Sequence, residues 1–117
     1  PEDEESKRLT FSQAATGATG IETLLPLALE LYHNGSIKLD KLIASITSNP
    51  AKILKINKGS LSIGNEADLC VIDIKNPWVV NQNELKSKSK NTPIENRKLQ
   101  GQILKTFIKG NIAFERS

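Results

Sequence analysis

The side chains able to do chemistry are few and scattered. There is one histidine, His33, and one cysteine, Cys70, far apart in the chain. Neither has a second His or Cys near it, so the spacing of a zinc site is absent. A Ser/His/acid set is absent too, because His33 falls at the end of a helical pattern, where its partial charge suits the negative helix terminus. No phosphate loop of the Walker type occurs. Glu2, Asp3, Glu4 and Glu5 form an acidic run, which reads as a solvated tail, since adjacent residues in a loop seldom converge on one substrate atom. Thr16-Gly17-Ala18-Thr19-Gly20 is small and glycine-bearing. By spacing alone it is either a plain connector or a place where backbone can approach a ligand closely. Lys86, Lys88, Lys90, Arg97 and Lys98 form a basic stretch without the interleaved aromatics that stack on bases.

The elements that must position these residues follow from periodicity and punctuation. Ile21, Leu24, Leu25, Ala28, Leu29 and Tyr32 make an amphipathic stripe. Pro26 is tolerated only in a first turn, so the helix is expected to start near Thr23 or Leu24. Asn34-Gly35 is its left-handed stop. Leu39, Leu42, Ile43 and Ile46 share the face of a second helix. Asn49-Pro50 reads as a cap and first position of a third, Ala51–Ile56. Upstream, Thr10 and Gln13 have the spacing of a capping box, with a short turn of helix through Ala15. Lys52, Lys55 and Lys58 read as a solvated face.

The character changes at Gly59–Asp73, a glycine-bearing loop running into the apolar Leu69-Cys70-Val71-Ile72. That run reads as a strand buried on both sides, with Cys70 a small buried hydrophobe. Asn76-Pro77 reads as a turn and Trp78-Val79-Val80 as a short strand. Gln102–Lys109 and Ile112–Phe114, joined at Lys109-Gly110-Asn111, read as a hairpin. The expectation is three helices followed by about four strands.

The totals agree with a part of something larger. The chain has 117 residues, 38% hydrophobic but only 4% aromatic, a thin supply of large side chains for a core. Its net charge of +3 lies in residues 59–117 and is too small to imply a nucleic-acid partner. A single cysteine permits no internal disulfide, which fits a reducing, cytoplasmic setting. No apolar run approaches bilayer length, and no signal peptide opens the chain. The absence of methionine and the start at Pro1 lead to the expectation of a fragment, as does a four-stranded sheet with open edges.

Several stretches, taken in order, resemble the C-terminal third of class I dihydroorotases of the amidohydrolase superfamily. They are Glu4–Leu9, Ala14–Leu27, Thr47–Leu54, Gly64–Leu69, Ser87–Pro93 and Leu99–Gln102. The pieces around Asn49–Leu54 and Gly64–Leu69 are shared with hydantoinases and allantoinases. Those around Gly17–Pro26 and Ser87–Pro93 narrow the resemblance to dihydroorotase.

The resemblance implies an α/β fragment: the last helices of a metal-dependent (β/α)8 barrel, followed by strands of a small composite β-sandwich. Residues 1–58 would be barrel helices and loops, and 59–117 sandwich strands whose partners come from a missing N-terminal part of the same protein. It implies a zinc-dependent cyclic amidase interconverting N-carbamoyl-L-aspartate and dihydroorotate in pyrimidine synthesis. The metal ligands and the catalytic Asp would lie upstream, so no catalytic residue and no metal ligand falls in this chain, which alone is expected to be inactive. Thr16 and Gly17 map onto the substrate-contacting loop, where backbone groups meet the ring and Gly17 leaves room for it.

The sequence departs from the pattern in four places. Thr16 replaces a commoner Phe. Glu2 stands where many members have a substrate-binding His, if Pro1 is the Pro of an Asp-His-x-Pro-His motif. Ile94 replaces an aromatic, and Asn96 a glycine. Glu2 motivates an alternative, a non-catalytic paralogue that scaffolds aspartate transcarbamoylase; the shared motifs leave another cyclic amidase as a third reading. The implied partners are a small-molecule substrate and either a second copy or aspartate transcarbamoylase, with neither nucleic acid nor membrane.

Overall fold

A computed structural model describes residues 18–116. The acidic run Glu2–Glu5, the capping box at Thr10–Gln13 and the loop residues Thr16 and Gly17 lie outside them.

A 3-10 turn, Ile21–Thr23, leads directly into α1, Leu24–His33. Pro26 therefore sits in the first turn, where a missing N–H costs nothing. Thr23 is buried, and its hydroxyl donates to Gly20 O at 3.3 Å instead of capping the helix. At the other end, Ser36 N donates to Leu31 O and Gly35 N to Tyr32 O, with Gly35 at φ +80°. This pair of bonds is a Schellman stop. The expected α1 is confirmed at both ends.

The second helix, α2, spans Leu39–Ile46, and α3 spans Ser48–Ile53. The expected Asn49 cap is corrected: α3 begins earlier, behind Thr47, and Pro50 is its third residue. Thr47 joins the two helices, its hydroxyl donating to Ile43 O of α2 and its carbonyl accepting from Ala51 N of α3. A second Schellman pair ends α3, with Ile56 N on Ala51 O and Lys55 N on Lys52 O. The left-handed residue there is Lys55, at φ 56°.

Three strands form one antiparallel sheet in the order β1-β2-β3: β1 Leu69–Val79, β2 Lys98–Ile108 and β3 Asn111–Glu115. The expected four strands become three because Asn76-Pro77 does not break the chain's direction. Asp73 pairs with Gln102 and Pro77 with Gln100, so Ile74–Asn76 bulge outward opposite Gly101. Asp73 Oδ1 accepts from Lys75 N and Asn76 N, which satisfies the bulged backbone. A two-residue turn, Lys109-Gly110, both at positive φ, joins β2 to β3, as a tight hairpin requires.

Helix α1 packs on β2 at that bulge. Leu29, with no exposed surface, lies over Gly101, which has φ +108° and whose Cβ, if present, would come 2.5 Å from Leu29 Cδ1. Trp78 Nε1 donates to Gly101 O at 2.8 Å. Leu29, Val80, Leu85 and Leu99 are buried here, and Leu42 and Ala51 are buried in α2 and α3. The far end of the sheet is uncovered among the described residues. Cys70 and Val71 are both exposed, although neighbours in a strand point to opposite faces. The two-sided burial expected of Leu69–Ile72, and of Cys70 with it, is therefore not seen among the described residues: Leu69 and Ile72 are half-buried, and Cys70 and Val71 are exposed.

Candidate functional site

The expected substrate-contacting residues, Thr16 and Gly17, precede the described residues, but the chain that continues from them is fixed by a specific set of bonds. Thr19 is buried; its N–H donates to Asn91 O at 2.8 Å and its hydroxyl to Ser89 O at 3.0 Å. Glu22, in the 3-10 turn, turns its carboxylate onto the same distant segment. Oε2 accepts from Lys86 N at 2.8 Å and from Ser87 N at 3.1 Å, and Oε1 lies 3.0 Å from Lys86 N. A carboxylate on backbone N–H groups forms charge-assisted bonds, stronger than neutral ones.

The segment they hold, 85–96, is itself internally tied. Leu85 and Thr92 are buried. Lys90 Nζ donates to Leu85 O, Thr92 Oγ1 accepts from Ile94 N, and Glu95 accepts from Gln82 N at 2.7 Å. Val80 N donates to Arg97 O and Asn96 N to Val80 O, so the segment is anchored to the end of β1. Asn96 has φ 64°, a conformation asparagine tolerates where most side chains do not. The basic residues Lys86, Lys88, Lys90, Arg97 and Lys98 are all exposed, with Lys90 bonded to Leu85 O and Arg97 paired with Glu30. What the sequence reading missed is the contact itself. The two stretches that narrowed the resemblance, around Gly17–Pro26 and Ser87–Pro93, meet in space. The signal was available: a Glu immediately before a helix, with no base nearby to pair with, is free to bond backbone elsewhere.

A second cluster pins the loop between α3 and β1. Asp68 accepts from Lys58 Nζ and from Lys109 N, the latter at 2.8 Å, and Glu66 accepts from Lys58 Nζ at 3.0 Å. The Lys58 bond first, and the Lys109 amide second, hold the Asp68 carboxyl below the usual carboxylate value. The same pairing with Asp68, then Glu66, raises the Lys58 ammonium above its ordinary value. Gly110 N donates to Ala67 O, so this loop is stitched to the β2–β3 turn. Nothing here resembles an acid–base pair for catalysis; it is a structural tie.

His33 is exposed at the end of α1, its ring 5.2 Å from that of Tyr32. It borders an open groove also lined by Glu30, Pro77, Lys98 and Gln100. Arg97 bridges to Glu30 across 2.7 Å beside that groove. Among the described residues no three His, Cys, Asp or Glu side chains come together where they could hold a metal ion. The zinc that the resemblance implies does not fit them. No helix among these residues is long and apolar enough to cross a membrane.

Comparison with known proteins extends this geometry. A dihydroorotase of Ehrlichia chaffeensis is 42% identical over 98% of this chain, which corresponds to 26% of that protein. The chain thus spans about a quarter of the length of the curated relatives it matches. Among solved structures, an L-hydantoinase (dihydropyrimidinase) from Arthrobacter aurescens superposes with a TM-score of 0.85 at 29% identity, over 91% of this chain and 24% of that one. A dihydropyrimidinase from Brevibacillus agri gives a TM-score of 0.89 at 19% identity, over 98% and 26%; at that identity the likeness speaks for the fold alone. The profile described as the amidohydrolase family matches residues 7–113. With the motifs, the fold and the profile in agreement over nearly its whole length, the chain belongs to the amidohydrolase family.

Proposed function

We propose that this chain is the C-terminal segment of a dihydroorotase. The enzyme would interconvert N-carbamoyl-L-aspartate and dihydroorotate in the synthesis of pyrimidines. In the closing direction the carbamoyl nitrogen forms a C–N bond to the side-chain carboxyl carbon and water departs; in the opening direction water adds to that ring amide. Thr16 and Gly17 would meet the ring through backbone groups. Zinc and the proton-transferring Asp would be supplied by residues outside those described. Residues 1–58 would belong to the barrel and 59–117 to the sandwich, with the packing of α1 on β2 forming the seam.

The observation that carries the reading is the joining of 19–22 to 86–91. It unites the two stretches most particular to the dihydroorotase resemblance, next to the proposed ring-contacting loop. The identity to a named dihydroorotase over 98% of the chain supports it. The test is turnover by the longer protein that contains this chain. Dihydroorotate should form from N-carbamoyl-L-aspartate, and zinc removal should abolish it.

A second reading, a hydantoinase-like cyclic amidase, is favoured by the likeness to the Arthrobacter enzyme. Profiling against hydantoin, allantoin and dihydroorotate separates the two. Absence of all turnover in the zinc-loaded protein would leave the scaffold role, with aspartate transcarbamoylase or a second copy as partner.

A further inference from the structure

We infer that Asn34-Gly35 is a modification site: its side-chain amide is lost by attack of the Gly35 nitrogen, and the stop of α1 is the gate that sets how fast. The inference does not depend on the proposed dihydroorotase reading.

Of the ten asparagines in the chain, only Asn34 is followed by glycine. Asn49 and Asn76 precede proline, whose nitrogen carries no proton to lose. The others precede residues whose Cβ crowds the approach of the next backbone nitrogen, a hindrance that glycine lacks. Asn34, Gly35 and Ser36 are all exposed, and a Cβ at Gly35 would meet nothing within 4 Å. Asn34 also lines the open groove between the end of α1 and the sheet. Water therefore reaches its side chain, and a small leaving group can depart.

The reaction needs only water. Gly35 N gives up its proton and bonds to Asn34 Cγ. The Cγ–Nδ2 bond breaks, and Nδ2 leaves as ammonia with that proton. The five-membered imide left behind takes up one water. Opening at Cγ gives aspartate at position 34; opening at the backbone carbonyl gives isoaspartate, with one more carbon in the main chain.

The folded geometry holds the reacting groups apart. Asn34 has ψ 2°, an angle that turns Gly35 N away from the side chain of Asn34. Ring closure needs ψ to rotate until that nitrogen and Cβ lie on the same side. The rotation is opposed by the Schellman pair, Gly35 N on Tyr32 O at 3.0 Å and Ser36 N on Leu31 O at 2.9 Å. It is opposed a second time by Ser36, whose N–H and hydroxyl both donate to Asn34 Oδ1. These bonds tie together the two groups that must turn past each other. The attacking nitrogen is also engaged as a donor, so it is freed only when the last turn of α1 opens.

The product acts back on the gate. A carboxylate at position 34 stands at the negative end of α1 and shares the groove with Glu30. Isoaspartate lengthens the main chain inside the 31–36 stop, so its bonds lose their register. Either product loosens the end of the helix whose Leu29 packs over Gly101 of β2.

The experiment uses the longer protein that contains this chain, kept in oxygen-18 water at mildly alkaline pH, folded or in urea, then digested and mapped by mass. Residue 34 should convert ahead of every other asparagine and gain one heavy oxygen. Two backbone bonds must open first, so conversion in the folded protein should be about thirtyfold slower than in urea. Ser36→Ala removes the hydroxyl tie and should speed the folded reaction about fivefold, with no change in urea. Amide exchange at positions 35 and 36 should be faster in the converted protein than in the parent, while the amides of β2 keep their protection.

Equal rates in the folded protein and in urea would show that the stop is no gate. Another asparagine converting before residue 34 in the folded protein would show that this is not the site. A Ser36→Ala protein that converts no faster than the parent would show that the hydroxyl holds nothing. Any of these overturns the inference. If Ser36→Ala fails to fold, the parent decides in urea too dilute to unfold it: conversion must keep step with exchange of the Gly35 and Ser36 amides, and a rate that ignores their opening overturns the gate.

Discussion

Lys55 occupies the left-handed position that ends α3, at φ 56°, where a side chain costs energy that glycine does not. Lys55→Gly is expected to stabilise the protein by about 0.5–1 kcal/mol, measured as a higher urea midpoint at unchanged slope. Two other left-handed residues separate conformation from crowding. Gly35, at φ +80°, has open space where a Cβ would go. Gly59, at φ +76°, would place a Cβ 2.9 Å from Thr47 O and Ser48 Cα, backbone atoms that cannot swing aside. Gly35→Ala should therefore cost about 1 kcal/mol and Gly59→Ala about 2–4 kcal/mol, the difference being overpacking. Equal losses in urea unfolding would show that α3 moves freely away from the loop. These residues also mark what could be read from the sequence. Gly35 was legible because Asn-Gly after an apolar stripe is a local signal. Lys55 was not, because nothing local marks a lysine for φ > 0. Cys70 was misread because its burial depends on a layer that the described residues do not supply.

At the scale of elements, the sequence located all three helices and the β2–β3 hairpin, since periodicity and turn residues are local properties. It split β1 in two, because Asn76-Pro77 signals a turn equally well in a connection and in a bulge. Only pairing with β2, opposite Gly101, decides between them. It set the start of α3 too late for the same reason: Thr47 can end one helix and begin the next only because both are packed together. The tie between the 58–68 loop and the hairpin is a further property of the assembled elements, and it carries a pH prediction. The depressed Asp68 carboxyl contributes stability above the ordinary value of 3.8 and loses it as pH falls through its folded value. The raised Lys58 ammonium contributes below 10.5 and loses it as pH rises through its own folded value. Between those limits their joint contribution is flat. A double-mutant cycle with Asp68→Asn and Lys58→Met should thus give the same coupling at pH 5 and pH 9 and a smaller one at pH 2. The coupling should shrink with added salt, as both groups meet solvent. A coupling that varied between pH 5 and 9 would mean that another titrating group, not this pair, holds the loop.

Across the whole molecule, the apolar surface is distributed unlike that of a self-sufficient domain. Ile53 is 80% exposed, Leu61 77%, and Ile21, Leu54 and Ile63 are exposed as well. Both outer strands of the sheet, β1 and β3, have an unpaired edge among the described residues. Scattered exposed leucines are ordinary in soluble proteins, but large aliphatics gathered in one stretch, 53–63, mark a surface meant to be covered. Open strand edges add a template for pairing with another chain. The 117-residue chain produced by itself is therefore expected to bind a hydrophobic dye such as ANS strongly and to self-associate with rising concentration in sedimentation velocity. Ile53→Lys and Leu61→Ser should lower both signals while far-UV circular dichroism stays the same, since neither side chain is in the core. In the longer protein the dye signal should be small from the outset, and the same substitutions should then destabilise it, because they would fall within a packed contact. The two settings thus give opposite signs for one pair of substitutions. A chain that is monomeric and dark to the dye when alone would show that these side chains are simply solvated, and the case for a covering layer over 53–63 would fall.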